Sequence, residues 1–158
     1  ENNRFASHMD ITERQPSMFT ARFAKANGIS FEVVNGNNVL AMELVSQKAI
    51  NHAKLGDGPF FIEAVTYRWL GHVDWREDID VGITRSLDEL ESWKKHDPIS
   101  NLVSALVQNN FLSLEDCGNI DLEIDEEIRS AWNTALNDPF PENKSLLERV
   151  YFNHGDRS

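Results

Sequence analysis

A chain with one cysteine, Cys117, cannot close a disulfide within itself. A lone thiol on a helical stretch fits a small apolar residue in a reducing compartment. Basic residues are scarce as well, 15 Lys and Arg against 26 Asp and Glu, for a net charge of −11. That balance argues against nucleic acid and anionic membranes as partners. No apolar run is long enough to span a bilayer and no charged-then-apolar leader opens the chain, so the sequence is expected to be soluble and cytoplasmic. Internal repeats and low-complexity tracts are also missing. What is present, 158 residues with 41% hydrophobic side chains and four Trp, suffices for one ordinary core.

Periodicity predicts an α/β organisation. Residues 1–16 are polar and irregular, and Pro16 with Ser17 opens a helix from Ser17 to Asn27 whose apolar positions are Phe19, Phe23 and Ala24. Asn27-Gly28 stops it, Ile29 to Val34 is a strand, and Asn37 or Asn38 caps a helix with a stripe of Leu40, Leu44, Ala49, Ile50 and Ala53. Gly56-Asp57-Gly58-Pro59 ends that helix before a strand from Phe60 to Tyr67, a spacing that predicts a βαβ unit with parallel strands. Beyond the irregular stretch 68–85 the pattern is helical. Ser86 caps Leu87 to Lys95, Asp97-Pro98-Ile99 starts a helix to about Asn110, and Ser113 to Asp116 forms a capping box. The last long helix carries Ile120, Ile124, Ile128, Trp132 and Ala135 on one face and ends at Asp138-Pro139; Leu146, Leu147 and Val150 suggest a short final helix.

The stretch 68–85 follows the carboxyl end of a strand, where open α/β sheets bind ligands. Within it Gly71 permits close backbone approach, and His72 can donate to phosphate or move protons near neutral pH. Arg68 and Arg85 bracket the segment, and pairing of Arg68 with Asp74 or Asp78 is favoured over ligand contact. His8 is ambiguous, while His52, His96 and His154 carry no assigned role. Gly56-Asp57-Gly58 resembles a phosphate or metal loop but sits at the wrong end of a strand, and Asn37-Asn38 is a helix cap.

At the amino end, Asn2-Asn3 admits two readings. Asn oxygens and a neighbouring carbonyl are hard neutral ligands for Mg²⁺ or Ca²⁺ once a carboxylate joins them; equally, two solvated Asn residues can end a frayed terminus. A third possibility is an unrelated α/β metal-binding protein using Asn2, Asn3 and Asp10.

Several stretches occur in a telling order: Glu1-Asn2-Asn3-Arg4-Phe5-Ala6, Val34-Asn35-Gly36-Asn37-Asn38-Val39, Gly58-Pro59 through Glu63, Thr66-Tyr67-Arg68 with Gly71-His72, and Asp97-Pro98-Ile99. In this order the chain resembles the C-terminal part of the alpha subunit of thiamine-diphosphate-dependent 2-oxo acid dehydrogenases, the group of pyruvate, branched-chain 2-oxo acid and acetoin dehydrogenase first components. Val73 follows His72 where mitochondrial members carry a phosphorylatable Ser, so the resemblance is to the bacterial type. It implies a partial doubly wound parallel sheet, the C-terminal half of a thiamine-diphosphate-binding α/β domain over residues 1–85, with a helical C-terminal region of the same domain over 86–158.

By the same resemblance, Mg²⁺ would be held by the Asn3 side chain and the Phe5 carbonyl. Phe5, Ala6, Ser7 and His72 would contact thiamine diphosphate, His72 with a catalytic part, and Arg68 and Arg85 would order the loop. The family's metal carboxylate comes from a Gly-Asp-Gly upstream of the paired Asn, so the chain is expected to be a fragment whose cofactor and metal sites stay empty and which is inactive alone. The implied reaction passes the acyl unit of a 2-oxo acid or acetoin to a lipoyl carrier. The implied partners are a beta subunit, a second alpha subunit and a lipoyl-bearing acyltransferase, within a heterotetramer. A sheet without its leading strands exposes an edge, so a self-associated or partner-bound chain is expected. The rival from another class is a non-catalytic assembly module that keeps half of the fold.

Overall fold

A computed structural model describes residues 1–6, 9–73, 75–77, 79–80, 83–143 and 145. Ser7, His8, Asp74, Asp78, Gly82 and His154, together with the final helix expected around Leu146, Leu147 and Val150, lie outside the described residues. The chain divides into two units, Glu1–Phe111 and Leu112–Ser158.

The centre of the first unit is the βαβ element expected from sequence. Strand β3 (Ser30–Asn35) lies parallel to β4 (Phe60–Val65), in register from Ser30 beside Phe60 to Asn35 beside Val65. Helix α3 (Val39–Lys54) connects them, capped by Asn38, whose Oδ1 accepts the Ala41 N–H at 3.0 Å. Gly56 and Gly58 take φ of 81° and 93°, so this Gly-Asp-Gly is a left-handed turn between helix and strand. Because side chains alternate along a strand, Glu63 and Phe60 point to opposite faces. Helix α2 (Ala21–Ala26) meets the Glu63 face through its first amides, and α3 meets the other face, where the His52 and Phe60 rings lie 5.4 Å apart.

Three expectations are corrected. The helix expected from Ser17 begins only at Ala21, because Ser17 spends its hydroxyl on the Phe19 N–H (3.2 Å) and the Thr20 and Ala21 amides go to Glu63. Its buried residues are Ala21 and Ala24, whereas Phe19 and Phe23 face outward at 47% and 56% exposure. On α3 the buried residue is Val45, while Leu40 and Leu44 are 59% and 69% exposed. Two apolar rows run along this helix, and the row through Val45 is the one the strands accept. Finally, residues 1–16 are not irregular: β1 (Phe5–Ala6) pairs antiparallel with β2 (Met9–Asp10), and a single turn α1 (Ile11–Arg14) comes directly after. Its cap is a box in which Asp10 Oδ1 accepts the Thr12 N–H (2.8 Å) and Glu13 accepts the Asp10 N–H (3.2 Å), burying Ile11 completely.

The loop after β4 also contains a short ladder, β5 (Ile79–Asp80) against β6 (Ile83–Thr84). Ser86 then caps α4 (Leu87–Lys94), and Asp97 caps α5 (Pro98–Gln108) with Pro at its start. In the second unit α6 (Leu114–Asn137) opens with the expected capping box, Ser113 Oγ accepting the Asp116 N–H at 3.0 Å and Asp116 accepting the Ser113 N–H at 2.9 Å. No described helix is long and apolar enough to cross a membrane.

Candidate functional site

Asn2 sits beside β4 as a third strand position. Its N–H donates to the Ala64 carbonyl at 2.8 Å and its carbonyl accepts the Thr66 N–H at 3.0 Å, while on the opposite edge the Val65 carbonyl accepts the Gly36 N–H at 2.8 Å. The amino-terminal residues are therefore tied to the carboxyl end of the central strand. That is the edge at which open parallel sheets bind ligands.

Two overlapping Asx turns shape the next residues. Asn2 Oδ1 accepts the Arg4 N–H and Asn3 Oδ1 accepts the Phe5 N–H, each at 3.1 Å. Between them Arg4 holds a left-handed φ of 68°, and its guanidinium pairs with Glu89 at 3.1 Å and lies 5.3 Å from the centre of the Trp93 ring. The loop is thus clamped from both sides of a residue whose backbone would otherwise resist this shape.

Under the loop lies Glu63, 2% exposed. Its Oε1 accepts the Asn2 Nδ2–H at 2.6 Å and the Thr20 N–H at 2.9 Å, and Oε2 accepts the Ala21 N–H at 2.6 Å. Asn2, itself 6% exposed, also donates to the Met18 carbonyl at 2.9 Å. Burial pushes the Glu63 carboxyl up, but the hydrogen bonds from Thr20, Ala21 and Asn2 outweigh it and hold the group below the usual carboxylate range.

The second half of the site is built where β4 runs out. Tyr67 is buried between the Phe5 ring, 5.8 Å away edge-on, and the Trp93 ring, stacked at 5.6 Å. Its hydroxyl is pushed above the ordinary phenol range by burial and then by the Glu89 carboxylate, against the opposing charge of Arg85. Arg85, 4% exposed, donates to the carbonyls of Arg68 (2.7 Å), Trp69 (3.2 Å) and Glu77 (2.6 Å), with its guanidinium 5.3 Å from the Tyr67 ring centre and 5.9 Å from that of Phe5. One planar cation therefore ties the start of the loop to its middle and stands over the aromatic pair that joins the loop to the amino terminus. A cleft of about 270 Å³ opens beside it, lined by Phe5, Asp10, Glu13, Thr84, Arg85, Ser86 and Glu89.

Of the residues singled out from sequence, Asn3 and Phe5 share the Asx turn, and Phe5 meets Arg85 through its ring. Ala6 is half-buried in the β1–β2 ladder. Arg68 is half-buried and offers its carbonyl to Arg85; His72 lies exposed just past Gly71, whose N–H donates to the Arg76 carbonyl at 3.0 Å. Ser7 is outside the described residues. Glu63 and Asn2 were missed as a pair. The signal was a charged residue inside the apolar run Phe60-Phe61-Ile62-Glu63-Ala64-Val65, which a buried strand tolerates only when the charge is fully hydrogen-bonded.

As a donor set, the Asn3 side-chain oxygen and the Phe5 carbonyl suit a hard divalent cation in kind. Among the described residues no three His, Cys, Asp or Glu side chains gather to hold one.

The sequence pattern of the dehydrogenase E1 component family matches residues 1–144. The chain belongs to that family. It is 32% identical over 152 residues to the pyruvate dehydrogenase E1 component subunit alpha of Porphyra purpurea, covering 96% of this chain and 43% of that protein. The protein of the same name from Acholeplasma laidlawii is 32% identical over 150 residues, 95% of this chain and 41% of its own length, and that from Rhizobium meliloti (strain 1021) is 27% identical over 151 residues, 95% and 42%. The chain thus spans about two fifths of the length of the curated relatives it matches, 43%, 41% and 42% in these three. The family to which its ordered motifs point is the one these comparisons return.

Proposed function

We propose that this member of the dehydrogenase E1 component family is part of the alpha subunit of a thiamine-diphosphate-dependent enzyme that acts on a 2-oxo acid or acetoin and passes the acyl unit to a lipoyl carrier. The observation that carries the reading is the meeting of its two motif halves. The Asn2–Phe5 turn is hydrogen-bonded to the carboxyl end of β4, and Phe5 packs against the Tyr67 and Arg85 that open and order the loop beyond it. In this reading residues 1–85 are the C-terminal half of a doubly wound thiamine-diphosphate-binding domain and 86–158 its helical extension. Helices on both faces of the β3–β4 pair support it.

Asn3 and the Phe5 carbonyl would hold Mg²⁺, with Phe5, Ala6, Ser7 and His72 against the diphosphate of the cofactor. When bound, thiamine diphosphate supplies an acidic thiazolium carbon that, once deprotonated, adds to a 2-oxo group. The chain's own residues bind and orient. The Asx turns fix the two neutral oxygens, Arg85 holds the loop that carries His72, and exposed His72 can donate to an anion. The partners in this reading are a beta subunit, a second alpha subunit and a lipoyl-bearing acyltransferase, in a cytoplasmic heterotetramer.

The test is reconstitution. Mixed with the amino-terminal part of a relative's alpha subunit and its beta subunit, the chain should restore thiamine-diphosphate- and Mg²⁺-dependent decarboxylation of a 2-oxo acid, read with an artificial electron acceptor. His72→Ala should remove most of that gain. No activity above the mixture lacking the chain ends the proposal.

A further inference from the structure

We propose that Glu63 is a positioning residue that acts through Asn2 to set the Asn3–Phe5 turn. The proposal rests on the reading of that turn as the metal and cofactor loop. Neither Glu63 nor Asn2 belongs to the ligand set of that reading.

Glu63 puts a charge in an unusual place. It stands in the middle of an apolar strand, is 2% exposed, and accepts N–H bonds from Asn2 Nδ2 at 2.6 Å, Thr20 N at 2.9 Å and Ala21 N at 2.6 Å. Three donors can stabilise a buried carboxylate, and none of them alone would justify burying it. Two of the three fix the segment leading into α2. The third fixes a side chain at the start of the loop.

Asn2 passes the constraint onward. With both protons of its amide nitrogen committed, one to Glu63 and one to the Met18 carbonyl at 2.9 Å, its carboxamide plane is set, and that setting aims Oδ1 at the Arg4 N–H. Arg4 is thereby held at its left-handed φ of 68°, and the next peptide presents the Phe5 N–H to Asn3 Oδ1 at 3.1 Å. A rotated Asn2 amide would release Arg4 first and the Asn3 side chain with it. Meanwhile the Asn2 backbone is anchored independently on Ala64 and Thr66, so loosening the amide changes the turn without detaching the strand.

The experiment is amide hydrogen exchange on the full chain, compared with Glu63→Gln and Asn2→Ala. Gln cannot accept from all three donors, so Glu63→Gln should lower protection at Arg4 and Phe5 by roughly tenfold or more, the loss expected for a charge-assisted hydrogen bond, beyond any change in the interior of α3. Asn2→Ala leaves the bonds from Thr20 and Ala21 to Glu63 in place and so keeps the fold if Glu63→Gln does not. In it Phe5 is the reporter, since Arg4 loses its acceptor directly. Unchanged protection at Phe5 in Asn2→Ala, or a uniform fall across the turn and α3 in Glu63→Gln, overturns the positioning role. The metal reading is judged apart, by Mn²⁺ titration of the unsubstituted chain reconstituted with the amino-terminal part of a relative's alpha subunit, which supplies the carboxylate the ion needs. Selective paramagnetic broadening at Asn3 and Phe5 supports the purpose of the relay, and its absence overturns that purpose while the exchange data judge the relay itself.

Discussion

Gly36 passes Thr66 so closely that a Cβ on Gly36 would stand 2.6 Å from Thr66 Cγ2 and 3.1 Å from the Val65 carbonyl oxygen. The same approach lets the Gly36 N–H reach that carbonyl at 2.8 Å, the last bond joining the exit of β3 to β4. Gly36→Ala should therefore destabilise the chain by about 1–3 kcal/mol, because one neighbouring atom is backbone and cannot swing away. Chemical denaturation measures it, and a loss within error of zero would mean that the strand ends can part without cost.

This glycine also shows how far the sequence could be read. The turn Asn35-Gly36-Asn37-Asn38, the cap at Asn38 and the strands on either side were legible, since each rests on local chemistry that the residues carry themselves. Which face of α3 is buried was not. Leu40 and Leu44 form as good an apolar row as the one through Val45, and only the shape of the strand pair selects between them. The same holds at the site. Asn3 and Arg85 stand out by residue type and Phe5 through the resemblance, whereas Glu63 acquires meaning only when folding brings Asn2, Thr20 and Ala21 to it from distant stretches of chain. The capping box of Asp10 and Glu13 opens a helix of a single turn, too short within its polar surroundings to show a hydrophobic period.

Arg85 binds three carbonyls from two directions, a task for a planar fork that a lysine cannot share. Arg85→Lys should cost on the order of 2–4 kcal/mol, since at least one carbonyl is left without its donor. Much of that loss should be local. Limited proteolysis between Trp69 and Glu77 should quicken well beyond cleavage in α3. Equal rates for the two proteins would show that the loop is held by other contacts.

Glu63 gives stability a direction in pH. Its folded carboxyl lies below the usual range, so through the acid region the unfolded chain binds the proton more readily than the folded one. The contribution is complete above the unfolded pKa and is lost as pH falls through the folded value. Unfolding free energies traced from about pH 7 to about pH 3 should decline more steeply for the unsubstituted chain than for Glu63→Gln, which has no proton to bind. Parallel curves would show that the hydrogen bonds from Thr20, Ala21 and Asn2 do not favour the ionised form.

Helix α6 carries its start signal in two nearby residues, Ser113 and Asp116, each accepting the other's backbone N–H. A helix end exposes amides that need acceptors, and here both are supplied by the chain's own side chains. Ser113→Ala removes one acceptor and leaves the Asp116 carboxylate still able to take the backbone N–H of residue 113. The expected cost is about 0.5–2 kcal/mol of helix stability, felt in the first turn. Amide exchange should therefore rise from Leu114 to Cys117 and stay unchanged around Ile128 and Trp132. If the whole helix loosened together, its stability would come from nucleation at this cap, and Ser113→Asp, which restores an acceptor, should then recover all of it.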